Sequence, residues 1–428
     1  MKRNIYIKTS FRFLAFLLLS VTLLSSCAKD PAPVLYDVYK DKGTATPVVT
    51  AITPADSAWA GYDEITITGQ NFLTPTDTAV VYFDNVKASI IDINPTQIRL
   101  KAPNLPKDGI GVRVFTRTSS ATSEAKTYKL KEIMSTYKSY SFQEEPRAIT
   151  FDKDGNLYVS LTLSGVGVGV KKIAKNGTMT DYAPKGVETS WSGMKFAYGP
   201  FGATGQLLTV FKRNAIFKVN PGAAPAAWVT FSSSLGALND LDLDPQGNIW
   251  AAGSGTNIFR VKSDKTIKQY ANFSTSSASI NAVRVFNAQG TLYLYLGGTK
   301  DGKEGIWRYK ITNQEIDPAQ AELVVDFAAK YPGKKVLGLT FSEDGDLYVG
   351  TDDDAVILVV KSSDLNNIQP LLKGVLLPKF SAMAWGNNEP YLYYSREKVA
   401  SETDKIFDQK LFKAYMFKKG APYYGLAL

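Results

Sequence analysis

Three stretches decide the fold: Ala148-Ile149-Thr150-Phe151-Asp152-Lys153-Asp154-Gly155-Asn156-Leu157-Tyr158-Val159, Leu241-Asp242-Leu243-Asp244-Pro245-Gln246-Gly247-Asn248-Ile249-Trp250-Ala251, and Gly338-Leu339-Thr340-Phe341-Ser342-Glu343-Asp344-Gly345-Asp346-Leu347-Tyr348-Val349. In each, an apolar residue stands four places before a glycine and an aromatic stands three places after it. Each reads as a strand, a Gly turn and a second strand, and Asp154-Gly155 and Asp344-Gly345 are strong hairpin signals. Weaker copies at Val283–Leu294 and Met383–Tyr393, and a degenerate one at Met194–Val210, fill the gaps. A third strand is expected after each pair, as at Lys171–Ile173, Ala215–Val219, Asn257–Val261 and Gly305–Tyr309. A fourth is expected around Tyr182 and Tyr270–Phe273. Six four-stranded units of about 40–50 residues are the pattern of a β-propeller, here over residues 134–428. One strand, Tyr137–Phe142, is left over before the first unit. It would close the ring in the last blade, and Tyr423–Leu428 competes for that place.

Upstream, residues 47–131 alternate in short runs split by Pro and Gly, as in Glu64-Ile65-Thr66-Ile67-Thr68-Gly69 and Val112-Arg113-Val114-Phe115-Thr116. Strands at this spacing predict a β-sandwich. The fold class is therefore all-β, a sandwich followed by a six-bladed propeller. The run Ile65-Thr66-Ile67-x-Gly69-x-Asn71-Phe72, with Val49-x-x-Ile52-x-Pro54 before it and Ile98-x-Leu100-x-Ala102-Pro103 after it, resembles the IPT/TIG immunoglobulin-like family. That resemblance implies a spacer or binding module. Trp59 and Tyr62 fall on a loop there, where they frame the turn at Gly61 or offer a stacking face. The propeller repeat resembles the NHL type, whose blade number is also six.

The amino terminus reads as an address. Residues 1–26 carry Lys2, Arg3, Lys8 and Arg12 with no acid, and Phe13–Leu24 are apolar. That apolar run is too short to span a bilayer and sits where a signal peptide sits. It ends in Leu24-Ser25-Ser26-Cys27, which resembles a bacterial lipobox. The resemblance implies lipidation of Cys27, which is the single cysteine of the 428 residues. Ala28-Lys29-Asp30 resembles the export signal of Bacteroidota surface lipoproteins. Residues 27–46 would then be a lipid-anchored linker, and the protein would sit at the outer membrane facing outward. An ordinary signal peptide followed by a free thiol is the alternative.

Composition excludes much. Histidine is absent, which removes Ser-His-Asp and Cys-His nucleophilic sites and His-ligated zinc. The net charge of +9 falls to +5 without residues 1–26, and the basic residues form no cluster, so nucleic acid is not an expected partner. No catalytic residue and no cofactor is expected. The alternative is a divalent cation such as calcium, held by Glu145, Asn239 and Asp240. These residues stand just before inner strands, with Glu144, Trp191, Ser192, Asn281, Lys335 and Ser381, and would line one channel mouth. Glu145-Pro146 and Asn239-Asp240 partly resemble the metal sites of six-bladed senescence-marker/gluconolactonase proteins. Pro146 and Asp240 both replace the glycine of that pattern.

Aromatic residues are the other resource. Tyr158, Trp250, Tyr293 and Tyr348 are expected in the interblade core. Trp191, Tyr198, Phe201 and Trp228 belong to the irregular second blade. They are candidate ligand-binding residues together with Asn239 and Asn281, because flat rings and amides suit sugars. Packing beneath long loops is the plainer reading of each ring. Asp240, Asp242 and Asp244 share one strand face, and Asp242 is expected to need a buried partner. The arrangement of lipid anchor, sandwich and propeller resembles accessory proteins of SusC/SusD-type nutrient importers. It implies capture of an extracellular ligand such as a glycan. The alternatives are a metal-dependent lactonase-like or carboxylate-based hydrolase, and a scaffold that docks an outer-membrane protein.

Overall fold

The computed structural model describes residues 45–72, 79–117, 119, 121–188, 190–271, 278–397 and 409–427. Cys27, the apolar leader and most of the linker lie outside the described residues. Contacts group Pro54–Ile65, Leu100–Ile110 and the chain from Thr127 onward as one compact unit, and Thr66–Arg99 with Gly111–Lys126 and the residues up to Thr53 as another.

The first part of the chain forms two sheets. One holds Val48–Thr53, Glu64–Gln70, Gln97–Lys101 and Ser89–Asn94 in that spatial order. The other holds Ala58–Trp59, Lys126–Lys131, Lys107–Thr116, Ala79–Phe83 and Val86–Lys87. Alternation decides which side chains are inside. Ile65, Ile67, Ile98, Leu100, Val81, Phe83, Val112 and Val114 are wholly buried. The residues between them in each strand are more exposed, as a two-sheet sandwich requires. Gly61 has φ +68°, a left-handed conformation that favours glycine, and the Tyr62 amide donates to the Trp59 carbonyl across that turn. Trp59 therefore frames the turn and is half-buried, while Tyr62 is exposed.

The propeller has six blades of four antiparallel strands. Their inner strands are Glu144–Phe151, Gly193–Ala197, Ala237–Leu243, Ser279–Ala288, Val336–Phe341 and Phe380–Trp385. The expected hairpins form in register, with Phe151 opposite Leu157, Leu243 opposite Ile249 and Phe341 opposite Leu347. The turn acid explains two of the three copies, and Ser342 holds its place in the third. Asp152 accepts from the Asn156 amide, the Asn156 side chain and the Tyr158 hydroxyl. Asp244 accepts from the corresponding Asn248 groups and from Trp250 Nε1 at 3.0 Å. One carboxylate thus closes the turn and ties down the aromatic that fills the interblade core. Tyr158, Trp250 and Tyr348 are buried there as expected, whereas Tyr293 is only half-buried.

Ring closure is decided at both ends of the propeller. Met134–Ser139 pairs antiparallel with Gln409–Tyr415 and supplies the outer strand of the sixth blade. The carboxy terminus does not compete for that place. Tyr424–Ala427 is a helical turn, and the chain before it forms a strap across the far ends of the inner strands. Gly420 bridges Ser342, the Ala421 amide donates to the Phe341 carbonyl, and the Tyr198 amide donates to the Gly425 carbonyl. Tyr423 sits among residues of four blades. Its hydroxyl meets Thr340 Oγ1 at 3.1 Å and accepts from the Trp385 amide at 3.4 Å. The Arg284 guanidinium lies 4.0 Å from its ring centre, and Lys195 Nζ lies 5.6 Å away.

Candidate functional site

The inner strands begin earlier than the sequence indicates. Glu144 and Glu145 open the first, Asn239 and Asp240 lie inside the third, and Asn281 lies inside the fourth. This changes what these side chains do. Asn239 Nδ2 donates to the Ile280 carbonyl at 2.8 Å, and Asn281 Nδ2 donates to the Val336 carbonyl at 3.0 Å. Both amides staple one inner strand to the next. The Asp240 carboxylate accepts from the Val283 amide at 2.8 Å, and the Asp242 carboxylate accepts from the Val285 amide at 2.9 Å. Asp242 also has the buried partner its position demands, since Arg284 donates to it and both side chains are 1% exposed. Burial works against the Arg284 charge, but Asp242 raises its pKa overall.

Glu145 accepts from Arg147 Nη2 at 2.7 Å, and Arg147 also pairs with Glu397, which pairs with Lys379 at 2.8 Å. These four charged groups link the openings of the first and sixth blades. Each candidate metal ligand has a partner within the protein: Glu145 pairs with Arg147, Asn239 donates its amide nitrogen to a carbonyl, and Asp240 accepts from a backbone amide. Among the described residues no three His, Cys, Asp or Glu side chains are grouped to hold a metal ion. Asp240 remains chemically distinctive. Burial, only partly opposed by Lys195, raises its pKa to about 6. Gly193 makes room for it, because a Cβ there would stand 2.6 Å from the Asp240 carboxylate.

The aromatic candidates separate into two groups. Trp191 is 1% exposed and packs edge-on against Phe211 at 5.0 Å, inside the core between blades. Tyr198 is buried against Phe196, and its hydroxyl accepts from the Lys153 amide. Neither ring offers a free face. A long Gly-rich loop does not by itself expose its rings, because the turn must be filled from beneath. Phe201 and Trp228 are half-buried and meet edge-on at 5.7 Å. Lys218 Nζ lies 4.8 Å from the Trp228 ring centre, and burial lowers its pKa.

A larger recess opens between blades four and five, with a volume of about 520 Å³. This lies within the range of about 300–1,000 Å³ typical of small-molecule sites. Phe286, Tyr293, Tyr295 and Phe341 supply its aromatic wall, and Asn287, Gln289 and Arg308 supply polar groups. Phe286 and Phe341 stack at 4.0 Å with an interplanar angle of 4°. Arg308 lies 4.4 Å over the Tyr293 ring. The sequence reading missed this site by treating Tyr293 as core. The available signal was the length of this hairpin. Its strands, Ser279–Ala288 and Thr291–Lys300, are ten residues each and outrun the others. Near its tip Phe286 and Tyr293 are half-buried against the neighbouring blade.

An all-β chain joining an immunoglobulin-like sandwich to a six-bladed propeller, with a recess between two blades, is the class of protein that fold and site define. The family model of the IPT/TIG domain matches residues 47–130. No curated protein matches the sequence. Among solved structures, an auxiliary nutrient binding protein from Bacteroides thetaiotaomicron superposes with TM-score 0.51 at 10% identity, covering 86% of this chain and 97% of that one. A protein of the same organism described as a candidate phosphatase superposes with TM-score 0.52 at 12% identity, covering 88% and 99%. These likenesses establish the shared fold. The two neighbours' names differ, so fold alone does not select a function.

Proposed function

We propose that this protein is a lipid-anchored surface protein that captures an extracellular glycan and serves a SusC/SusD-type nutrient importer. The observation that carries the reading is the recess between blades four and five, where the half-buried rings of Phe286 and Tyr293, backed by the buried Tyr295 and Phe341, and several uncharged polar groups line one concave surface. Sugars are held by such surfaces, because a ring packs its C–H face on an aromatic while amides and hydroxyls bind its edges. The lipobox ending at Cys27 and the nutrient-binding name of the Bacteroides neighbour support the anchor and the role. Phe201 and Trp228 form a second, smaller surface that a long chain could touch.

A glycan array and affinity gels with the purified protein, run with and without EDTA, test the reading. Retention by one polysaccharide class, unchanged by EDTA and weakened by Tyr293→Ala, is the expected result. Turnover or binding that EDTA abolishes would move the function to a metal site at Glu145, Asn239 and Asp240. Silence against every glycan, with a protein recovered from outer membranes, would make the propeller a docking scaffold.

A further inference from the structure

We propose that the recess between blades four and five selects uncharged sugars over anionic sugars. This rests on the glycan reading above and narrows it. Three charged side chains reach its wall: Arg308, Glu343 and Asp344. Each is already partnered. Arg308 Nε donates to Glu322 at 2.7 Å, and the same guanidinium hydrogen-bonds the Tyr295 hydroxyl and covers the Tyr293 ring. Glu343 accepts from the Lys419 amide at 3.1 Å. Asp344 accepts from the Ser342 hydroxyl and from Lys418 Nζ at 2.6 Å.

A uronate or sulfate ester would therefore meet two carboxylates, and the one guanidinium on the wall is already neutralised by Glu322. Lys418 neutralises Asp344, but the partner of Glu343 is an uncharged amide, so the wall repels an anion more than it attracts one. The remaining polar groups are uncharged. Asn287 and Gln289 are exposed, and each carboxamide offers both donors and an acceptor. Thr291 and Ser362 add hydroxyls beside the half-buried faces of Phe286 and Tyr293. Paired donors and acceptors with no net attraction for an anion match the hydroxyl-covered edge of a neutral pyranose.

The test is isothermal titration of the full chain in detergent. The probes are neutral gluco-, manno-, galacto- and xylo-oligosaccharides and their uronate- and sulfate-bearing counterparts. A neutral ligand is expected to bind, with Kd changing less than about twofold between about 50 and 500 mM NaCl. Tyr293→Ala should weaken it about two- to tenfold. Asn287→Ala should also weaken it, at an unchanged melting temperature, since that side chain is exposed. Binding confined to anionic sugars, falling with salt and still weakened by both variants, would overturn the selectivity and leave the recess as the glycan site. Binding that neither variant weakens, or no binding to any probe, would overturn the glycan reading of this recess and the selectivity with it.

Discussion

Asp244 accepts four hydrogen bonds from its own hairpin: from the Gln246 and Asn248 amides, the Asn248 side chain and Trp250 Nε1. Asp244→Ala would leave these donors unpaired around a wholly buried residue. A loss of about 2–4 kcal/mol is expected, measured by urea unfolding. Asp240 makes a prediction of opposite chemical sense. Its folded-state pKa, raised to about 6 from 3.8, means that the folded protein holds this proton more tightly than the unfolded chain. The stability this group contributes is present below about pH 4 and is lost as pH rises through about 6. Asp240→Asn retains an oxygen for the Val283 amide and cannot ionise. Its melting temperature should therefore gain on the parent protein as pH rises from about 4 to 7. Asp346 acts in a lower window. Burial would raise its pKa, but Lys361 and Lys418 prevail and lower it to about 2. Its contribution is present above about pH 4 and fades as pH falls toward 2, so Lys418→Ala should cost stability at neutral pH and little in strong acid.

The carboxy-terminal strap is the element that the repeat pattern could not announce. It has no strand partner of its own length, yet it touches the ends of several blades. Lys418 pairs with Asp344 and Asp346, Lys419 with Asn388, and Tyr423 with Thr340 and the Trp385 amide. Tyr423→Phe removes the hydroxyl from two polar groups and should cost about 1 kcal/mol. A chain ending at Phe417 loses all these contacts and should unfold at markedly lower urea, while the hairpins retain their β-sheet circular dichroism. The same deletion releases Glu343 and Asp344, so it should also alter binding in the recess they line. The closing strand behaves differently. Met134–Ser139 fills the edge of Gln409–Tyr415, and without it that edge is unpaired. Its removal should open the ring and cause aggregation rather than a modest shift in melting.

At the scale of the whole molecule, the anchor and the recess would join capture to a membrane. Cys27→Ser should move the protein from the membrane to the soluble fraction on cell fractionation, with glycan affinity unchanged. Much of the architecture was legible before any coordinates. The spacing from Phe151 to Gly155 to Tyr158 recurs from Leu243 to Gly247 to Trp250 because a carboxylate, a turn and an aromatic meet within one hairpin, and that is local chemistry. The alternation of Ile65, Ile67, Val112 and Val114 likewise follows from the two-residue period of a strand, and a family model matches the same residues. The candidate site was less legible, because whether a ring is covered depends on chain far away. Trp191 is a candidate ring whose plainer reading is packing, and Phe211 and Phe217 seal it. Tyr293, expected in the core, is half-buried at the wall of the recess, with Arg308 over its ring. Asn239 and Asn281 looked like rim ligands and instead bind carbonyls of the next blade. The sequence alone determined the all-β class, the two kinds of repeat and the chemistry withheld by the lack of histidine, since periodicity and composition are local. Tertiary structure alone decided which strand closes the ring, where the strap runs and which aromatic faces stay open, since each depends on contacts between residues far apart in the chain.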